Sequence, residues 1–493
     1  MNPNEKEVRG PRGREHEGEP SITHEQFRES IKKCNDIIEH TVMIGGNDSQ
    51  HVTLYYCDGM IDHQQMQLGL IPQLDDWAKY ILSQAEVREH PIDKKSAMFS
   101  KVDTDEGADD LFAFLFSGSV ILLFEGLREF YEYNIGSQPG RTPEESTMEL
   151  SLKGPRDGFI EQLSTNVALV RKRLRTPQMH VQYIRIGTDS QTEVAILYMA
   201  DRAKTKLVGE TLERLANIHI PSLNGAGHLE ELVSDRPFSF FPLVDYVGRP
   251  DYVVQSMMNG RVAILVDGSP AALIAPGNFL LLIKSPEDMH LPFYFVTLER
   301  LLRLMGLVLS ICLPAFWIAL CSFNTDQIPF QLLATITISR MGLPLSSTME
   351  MFLMLTMFEL FREAGVRLPR PVGQTVSVVG GLIVGDAAIR AGLTSPTMLV
   401  VAAVTAVSTF TLVNQSLAGT VSIIRYLVLI LASALGMFGF MVGTLAVIIY
   451  ICSLESFGMP YMTPIAPPNF KQWFTALFQL PWKVRSSERR GRR

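Results

Sequence analysis

Beyond about Arg303 the chain changes character: long apolar segments follow one another as far as Cys452, with few charges between them. Met305–Phe323 runs nineteen residues without a charge, and Met398–Leu417 and Leu427–Cys452 are longer. A hydrocarbon core of ~30 Å is crossed by about 20 apolar residues wound as a helix. Backbone groups in lipid must be paired within their own segment, so such stretches are helices. The sequence therefore predicts a large soluble front portion joined to a helical membrane domain.

The 493 residues carry a formal net charge of −7, which leaves room for two or three domains and gives no reason to expect nucleic-acid binding. Cys34, Cys57, Cys312, Cys321 and Cys452 lack metal-ligand spacing, and the last three lie in or beside apolar segments, where cysteine acts as a small hydrophobe. No metal site, cofactor or disulfide framework is expected. Residues 1–20 are charged, rich in Gly and Pro and without an apolar core, which reads as a disordered tail rather than a signal peptide.

The soluble portion contains an internal repeat. Val52-Thr-Leu-Tyr-Tyr56 is echoed by Val194-Ala-Ile-Leu-Tyr198, and Gly118–Gly126 by Gly260–Gly268, both 142 residues apart; Gly46–Gln50 is echoed by Gly187–Gln191, one residue out of step. Helical patterns separate these β-branched runs, so each copy is expected to be a small α/β unit with helices packed on a sheet. Ile22–His40 reads as a helix capped by Thr23, and Thr205–Ala216 as a connecting helix matching Gln64–Ala85. The Glu125-Gly126 and Asp267-Gly268 pairs read as turns. Domain limits follow: first subdomain 21–145, second subdomain with connector 146–298, transmembrane domain 299–455, basic C-terminal tail 456–493. The fold class is a duplicated α/β region followed by an all-α polytopic membrane domain.

Further motifs sit on this frame. Gly154, Pro155, Arg156, Gly158 and Phe159 precede a helical stretch with Asn166, ending in Arg171-Lys172-Arg173. That cation run reads as a solvated face, or as an intersubunit or headgroup contact. Arg300 and Arg303 stand before the first apolar segment, which places the front portion in the cytoplasm. Ile328–Leu345, with Arg340, reads as a tilted span or a re-entrant helix, and Ser346–Glu363 as a Met-rich helix packed in protein or lying at the interface. Arg362, Arg367 and Arg370 form a basic loop closed by Pro369 and Pro371. Val376–Ala391 is short and thick with small residues, Gly380 and Gly381 among them, which let helices approach closely. Within it Asp386 and Arg390 are spaced to pair. The segment is either a structural ion pair in a tight bundle or a pore-lining helix, with Val384 as constriction and Asp386 as a cation-attracting ring. Arg425 is assigned to a connection. Both the front portion and the basic C-terminus are expected inside, which requires an even number of spans.

No phosphate loop, His-Glu-x2-His, Gly-x-Ser-x-Gly or Cys-x2-Cys motif occurs, so no catalytic residue is nominated and an enzyme is not expected. A secondary transporter would want inverted repeats in the membrane half, and duplication is confined to the soluble half.

In order and spacing, residues 150–465 resemble the A subunits of bacterial spore germinant receptors, the GerA family. The resemblance rests on Gly154-Pro155-Arg156 with Gly158-Phe159, Arg171-Lys172-Arg173, Arg249-Pro250-Asp251 and Ser285-Pro-Glu-Asp288. It continues through Arg362-Glu363-Ala-Gly365-Val-Arg367-Leu-Pro369 and Val379–Ala388. Met289-His290 stands where the family commonly has an aromatic residue, and Lys172 where it often has a third arginine. The resemblance implies an inner spore membrane protein, a homo-oligomer working with a transporter-like B subunit and a lipoprotein C subunit, and a nutrient-gated cation channel. The alternative is a non-conducting scaffold that clusters receptors, or a paralogue acting downstream of them.

Overall fold

The structure, a computed structural model, describes residues 23–44, 51–74, 76, 99–102, 108–124, 130–137, 153–367, 385–468, 470–479 and 481. The expected tail 1–20, Gly46–Gln50, Glu125-Gly126, Gly380, Gly381, Val384, Pro369, Arg370 and the basic run from Lys483 lie outside the described residues. Proximity of Cα atoms divides the chain into two compact units. One comprises Met1–Ser146, Asp157–Ala226 and Gly248–Ala272; the other comprises Thr147–Arg156, Gly227–Val247 and Leu273–Arg493.

The first unit begins with a short helix, His24–Ile31. Thr23 caps it: its hydroxyl accepts from the Gln26 amide while the Gln26 side chain accepts from the Thr23 amide, a reciprocal capping box. The helix expected to reach His40 stops here, because the β-branched Ile37–Met43 forms strand β1 instead. Strand β1 pairs with β2 (His51–Cys57), which pairs with β4 (Ser119–Phe124), which pairs with β5 (Phe130–Asn134), and β3 (Phe99–Val102) closes the sheet. The second sheet has the same order: β6 (Met179–Ile186), β7 (Thr192–Met199), β9 (Val262–Val266), β10 (Ala272–Ala275), β8 (Asp245–Val247).

The repeat extends to the pairing register. Val52 faces Phe124 and Val194 faces Val266; Ile37 faces Cys57 and Met179 faces Met199. Each match keeps the 142-residue offset. Gly118 and Gly260, before β4 and β9, have φ of +100° and +84°, and a Cβ there would come within 2.5 Å of the Met60 carbonyl oxygen and 2.8 Å of that of Arg202. Only glycine enters both strands cheaply.

Alternation along β2 feeds both faces of the first sheet. Val52, Leu54 and Tyr56 pack with Met66 and Leu70; Tyr55 and Cys57 pack with Phe27 and Leu111. Residues Met66–Leu70 wind as a single π-turn, where a regular helix matching Thr205–Ala216 was expected; the latter forms with those limits.

In the second unit a helix of 30 residues, Phe293–Ser322, starts twelve residues earlier than its apolar segment and continues through Pro314. Phe330–Arg340 has 11 residues and Ser347–Arg367 has 21. Arg362 and Arg367 thus belong to a helix, not to the expected basic loop. The segment Met398–Leu417 is not one span. Its helix, Pro396–Phe410, has 15 residues, only ~22 Å at 1.5 Å per residue, and Asn414 caps a new helix by accepting from the Leu417 amide at 2.9 Å.

That new helical stretch, Gln415–Cys452, has 38 residues and takes in the third expected span. It folds back on itself at Gly436, whose φ of +64° and ψ of −139° break the helix. A Cβ on Gly443 would lie 3.4 Å from the Val428 side chain, although fifteen residues of straight helix would separate the two by ~22 Å. Thr420 and Tyr450 likewise both bond Phe240, at its carbonyl and at its amide. Gln415–Cys452 is a helical hairpin of two antiparallel arms. By length and composition it and Phe293–Ser322 qualify as membrane-crossing stretches, and only 17% of its most apolar window is buried, unlike the core helix of a soluble protein. After the hairpin, Glu455–Ser456 pairs with Met459–Pro460, and Phe470–Leu477 is helical, so structure continues into residues expected as a tail.

Candidate functional site

Within the sequence-nominated pore segment, residues 385–390 are described and are helical. Two of the small residues turn toward the bundle and two do not: Ala388 is buried and a Cβ on Gly385 would meet the Leu399 methyl groups at 3.3 Å, whereas Ala387 and Ala391 are exposed. Asp386 and Arg390 lie on the other side and pair at 2.8 Å, with 60% and 79% of their side chains exposed.

Two acids elsewhere in this half behave differently. Glu350 and Glu359 lie on Ser347–Arg367, nine residues and therefore half a turn apart. Glu350 is fully buried; its Oε1 stands 3.2 Å from Arg340 Nη2, and Arg340 also donates to the Ser347 hydroxyl. Its Oε2 accepts from the Ser395 amide at 2.9 Å and hydroxyl at 3.1 Å, a carboxylate set at the N-terminus of Pro396–Phe410, where the helix dipole favours negative charge. Glu359 accepts from Arg425 Nη2 at 3.1 Å, and Arg425 Nη1 donates to Thr409 Oγ1 at 3.1 Å. Arg425, expected in a connection, is 2% exposed inside the first arm of the hairpin. Charges inside an apolar helical bundle are costly unless so paired.

Arg300 and Arg303 are paired as well. Both are buried and donate to the two oxygens of Asp288, at 2.8 and 2.9 Å. Arg300 further donates to the Ala476 carbonyl and the Gln479 side chain, and Gln479 donates to the Asp288 carbonyl. These arginines fasten the base of the long helix. Glu230, Tyr246, Asn414 and Ser416 line a cleft of about 280 Å³, where burial pushes the Glu230 carboxyl up to about 7.

In the first unit, the cation run is not a solvated face. Arg171 is wholly buried and donates to both oxygens of Asp36, at 2.6 and 2.7 Å. It also donates to the Thr176 and Met179 carbonyls and lies 4.4 Å over the Phe116 ring. Asp36 belongs to the first repeat and Arg171 to the second, so the pair clamps the copies together; Asn35 and Val181 add a backbone bond at 3.0 Å. Arg173 turns aside to Asp157, at 2.5 Å. Asn166 both donates to and accepts from the Ile160 backbone. Phe159 is buried with its amide on the Gly248 carbonyl, and Arg249 binds Asp251 at 2.6 Å, where Pro250 opens a helix. Arg156 is exposed. Burial pushes the Cys34 thiol up to about 11. Among the described residues no group of three or more His, Cys, Asp or Glu could hold a metal ion.

Sequence reasoning missed the partners Asp36, Asp288 and Glu350. A signal for Arg171 was available: Val167-Ala-Leu-Val170 is apolar all round, so its helix is buried and a cation continuing it is inside too.

A family model described as Bacillus/Clostridium GerA spore germination protein matches residues 25–490. Spore germination protein XA of Bacillus anthracis is 40% identical over 452 residues, covering 91% of each chain. Spore germination protein KA of Bacillus subtilis is 33% identical and covers 93% of this chain and 84% of its own. A crystal structure of the N-terminal domain of the A subunit of the Bacillus megaterium spore germinant receptor GerK3 is 28% identical. It covers 52% of this chain and 96% of that chain, with a TM-score of 0.37.

Proposed function

The chain belongs to the Bacillus/Clostridium GerA spore germination protein family, and from that membership we propose that it is a receptor A subunit that oligomerises in the inner spore membrane and forms a nutrient-gated cation channel. A transporter-like B subunit and a lipoprotein C subunit would complete the complex, and nutrient binding to a partner would shift the closed–open equilibrium through differential contact with the two states. The repeated α/β unit and the basic C-terminus would be cytoplasmic. Since Arg300 and Arg303 are consumed by Asp288, that orientation rests on the terminal cations.

One observation carries the channel reading. Glu350 and Glu359 pair with arginines from other helices, whereas Asp386 is presented outward beside Arg390 of its own helix, while Gly385 and Ala388 of that helix pack inward. A ring of such carboxylates from several copies would draw cations, with Val384 as the constriction two residues earlier in the sequence.

The test is cation release from liposomes containing the full chain. Val384→Ala should leak without nutrient, and Asp386→Asn should lower flux in assembled protein. Unchanged flux in assembled Asp386→Asn removes that residue from the pore. No flux from any variant, with oligomers confirmed by crosslinking, moves the scaffold reading to the front.

A further inference from the structure

The helix Phe470–Leu477 carries an aromatic stripe that is exposed among the described residues of the second unit. Phe470, Trp473 and Phe474 follow helical spacing and are 75%, 37% and 50% exposed, while Leu477 on the inner edge is 8% exposed. Phe474 and Phe478 stack at 4.6 Å between ring centres, which extends the stripe by one ring.

The helix is also fixed in place. Arg300 donates to the Ala476 carbonyl at 2.9 Å and to Gln479 Oε1 at 2.9 Å. The Gln479 amide donates to Thr297 Oγ1 at 3.1 Å, and its side chain to the Asp288 carbonyl at 2.9 Å. These bonds hold the end of the C-terminal helix against the first two turns of Phe293–Ser322. Those turns expose their own aromatic residues, Phe293, Tyr294 and Phe295. Two sets of exposed rings therefore gather at the base of a helix long and apolar enough to cross a bilayer.

We infer that Phe470–Leu477 lies in the interface of an anionic phospholipid bilayer, its aromatic stripe at the headgroup–acyl boundary, and that the Gln479–Arg300–Asp288 lock transmits this footing to the long helix. Amphipathic aromatic rings settle at that depth. The charge fits the same occupant: after the helix come Lys483, Arg485, Arg489, Arg490, Arg492 and Arg493 against one acid, Glu488. Such juxtamembrane clusters are drawn to anionic headgroups. The inference rests on the long helix spanning the membrane.

Two single-tryptophan chains test it. In both, Trp77, Trp317 and Trp482 are replaced by Phe. One keeps Trp473; the other carries Trp473→Phe and Met305→Trp, on an exposed position about 18 Å along the long helix from Phe293. The full chains are placed in phosphatidylglycerol vesicles with bromine either near the glycerol end or near the tips of the acyl chains. Trp473 should lose most emission to the shallow bromines and the tryptophan at 305 to the deep ones. In phosphatidylcholine vesicles Trp473 should lose less. Trp473 unquenched while position 305 is quenched overturns the proposal and points to a protein partner or second copy on the stripe. Equal quenching in both lipids overturns the anionic preference. Neither residue quenched overturns the spanning reading, and the proposal with it.

Discussion

Replacing Asp36 by Ala should cost the first unit far more than a surface ion pair would. The Arg171–Asp36 pair is shut from water, at 0% and 1% side-chain exposure, and both oxygens of the carboxylate are used. Arg171 keeps only the Thr176 and Met179 carbonyls and the Phe116 face when Asp36 is gone. Those partners orient the guanidinium without balancing its charge. An uncompensated buried charge costs about 3–5 kcal/mol. For a unit of this size each kcal/mol moves Tm by roughly 2–4 °C, so Asp36→Ala should lower it by about 6–20 °C. The assay is thermal unfolding of the detergent-solubilised chain, with hydrogen exchange read at Asn35 and Val181, whose amides bond across the two repeats. Both should lose protection as the clamp opens. Replacing both partners by apolar residues, Asp36→Leu with Arg171→Met, should recover much of the loss, because desolvating a pair roughly cancels its attraction. A shift under ~2 °C, or no recovery in the double variant, would refute the view that a desolvated charge pair joins the repeats.

Cys34 and Cys57 are buried and Cys452 is exposed; with the Cys34 thiol held up at about 11, about one molecule in a thousand is thiolate at pH 8. Alkylation followed by mass spectrometry should modify Cys452 and spare Cys34 until the chain unfolds. Glu230 titrates near 7 in the folded chain against an ordinary 4.5, so folding takes up a proton between those values and stability falls as pH rises through that window. Glu230→Gln should raise Tm at pH 8, by about 1–2 kcal/mol of stability after allowance for partial exposure, and leave it unchanged near pH 4. At Gly436 the positive φ and the Phe323 ring, 2.7 Å from where a Cβ would sit, make Gly436→Val cost about 2–5 kcal/mol. In the Gly436 chain, Val428→Cys with Gly443→Cys should crosslink, and failure to do so would restore a straight helix.

The α/β duplication was legible because its signal is additive. Val52–Tyr56 and Val194–Tyr198 are each an ordinary strand pattern, but a shared offset with Gly118 and Gly260 ties two strands and the glycine that starts one of them. That same offset fixes the register. The membrane half was legible only as apolar mass, since hydropathy sums over a window and is blind to direction. It therefore joined Pro396–Phe410 to the following helix across Asn414, a capping residue that marked the boundary. It also ran on through Gly436. The excess length of Leu427–Cys452 over the ~20 residues a span needs was the available sign that the segment turns.

Charge partners were the least legible feature because pairing is set by three-dimensional neighbours. Asp36 lies 135 residues from Arg171, and Glu359 lies 66 from Arg425. The sequence marks such residues as expensive without saying whether they line a pathway or brace a bundle. Several of them already have an ion partner on a neighbouring element. Arg340 and Arg425 each meet an acid on Ser347–Arg367, and Arg300 and Arg303 share Asp288. These four arginines hold helices to one another, and neutralising any one partner should loosen the bundle before it alters selectivity. Among the described residues Asp386 pairs with Arg390, one turn along its own exposed face. An exposed pair contributes about 0–1 kcal/mol, so in the proposed channel Asp386 would exchange Arg390 for a passing cation at little cost to the fold. The same substitution, acid to amide, should therefore act on stability at Glu350 and on flux at Asp386.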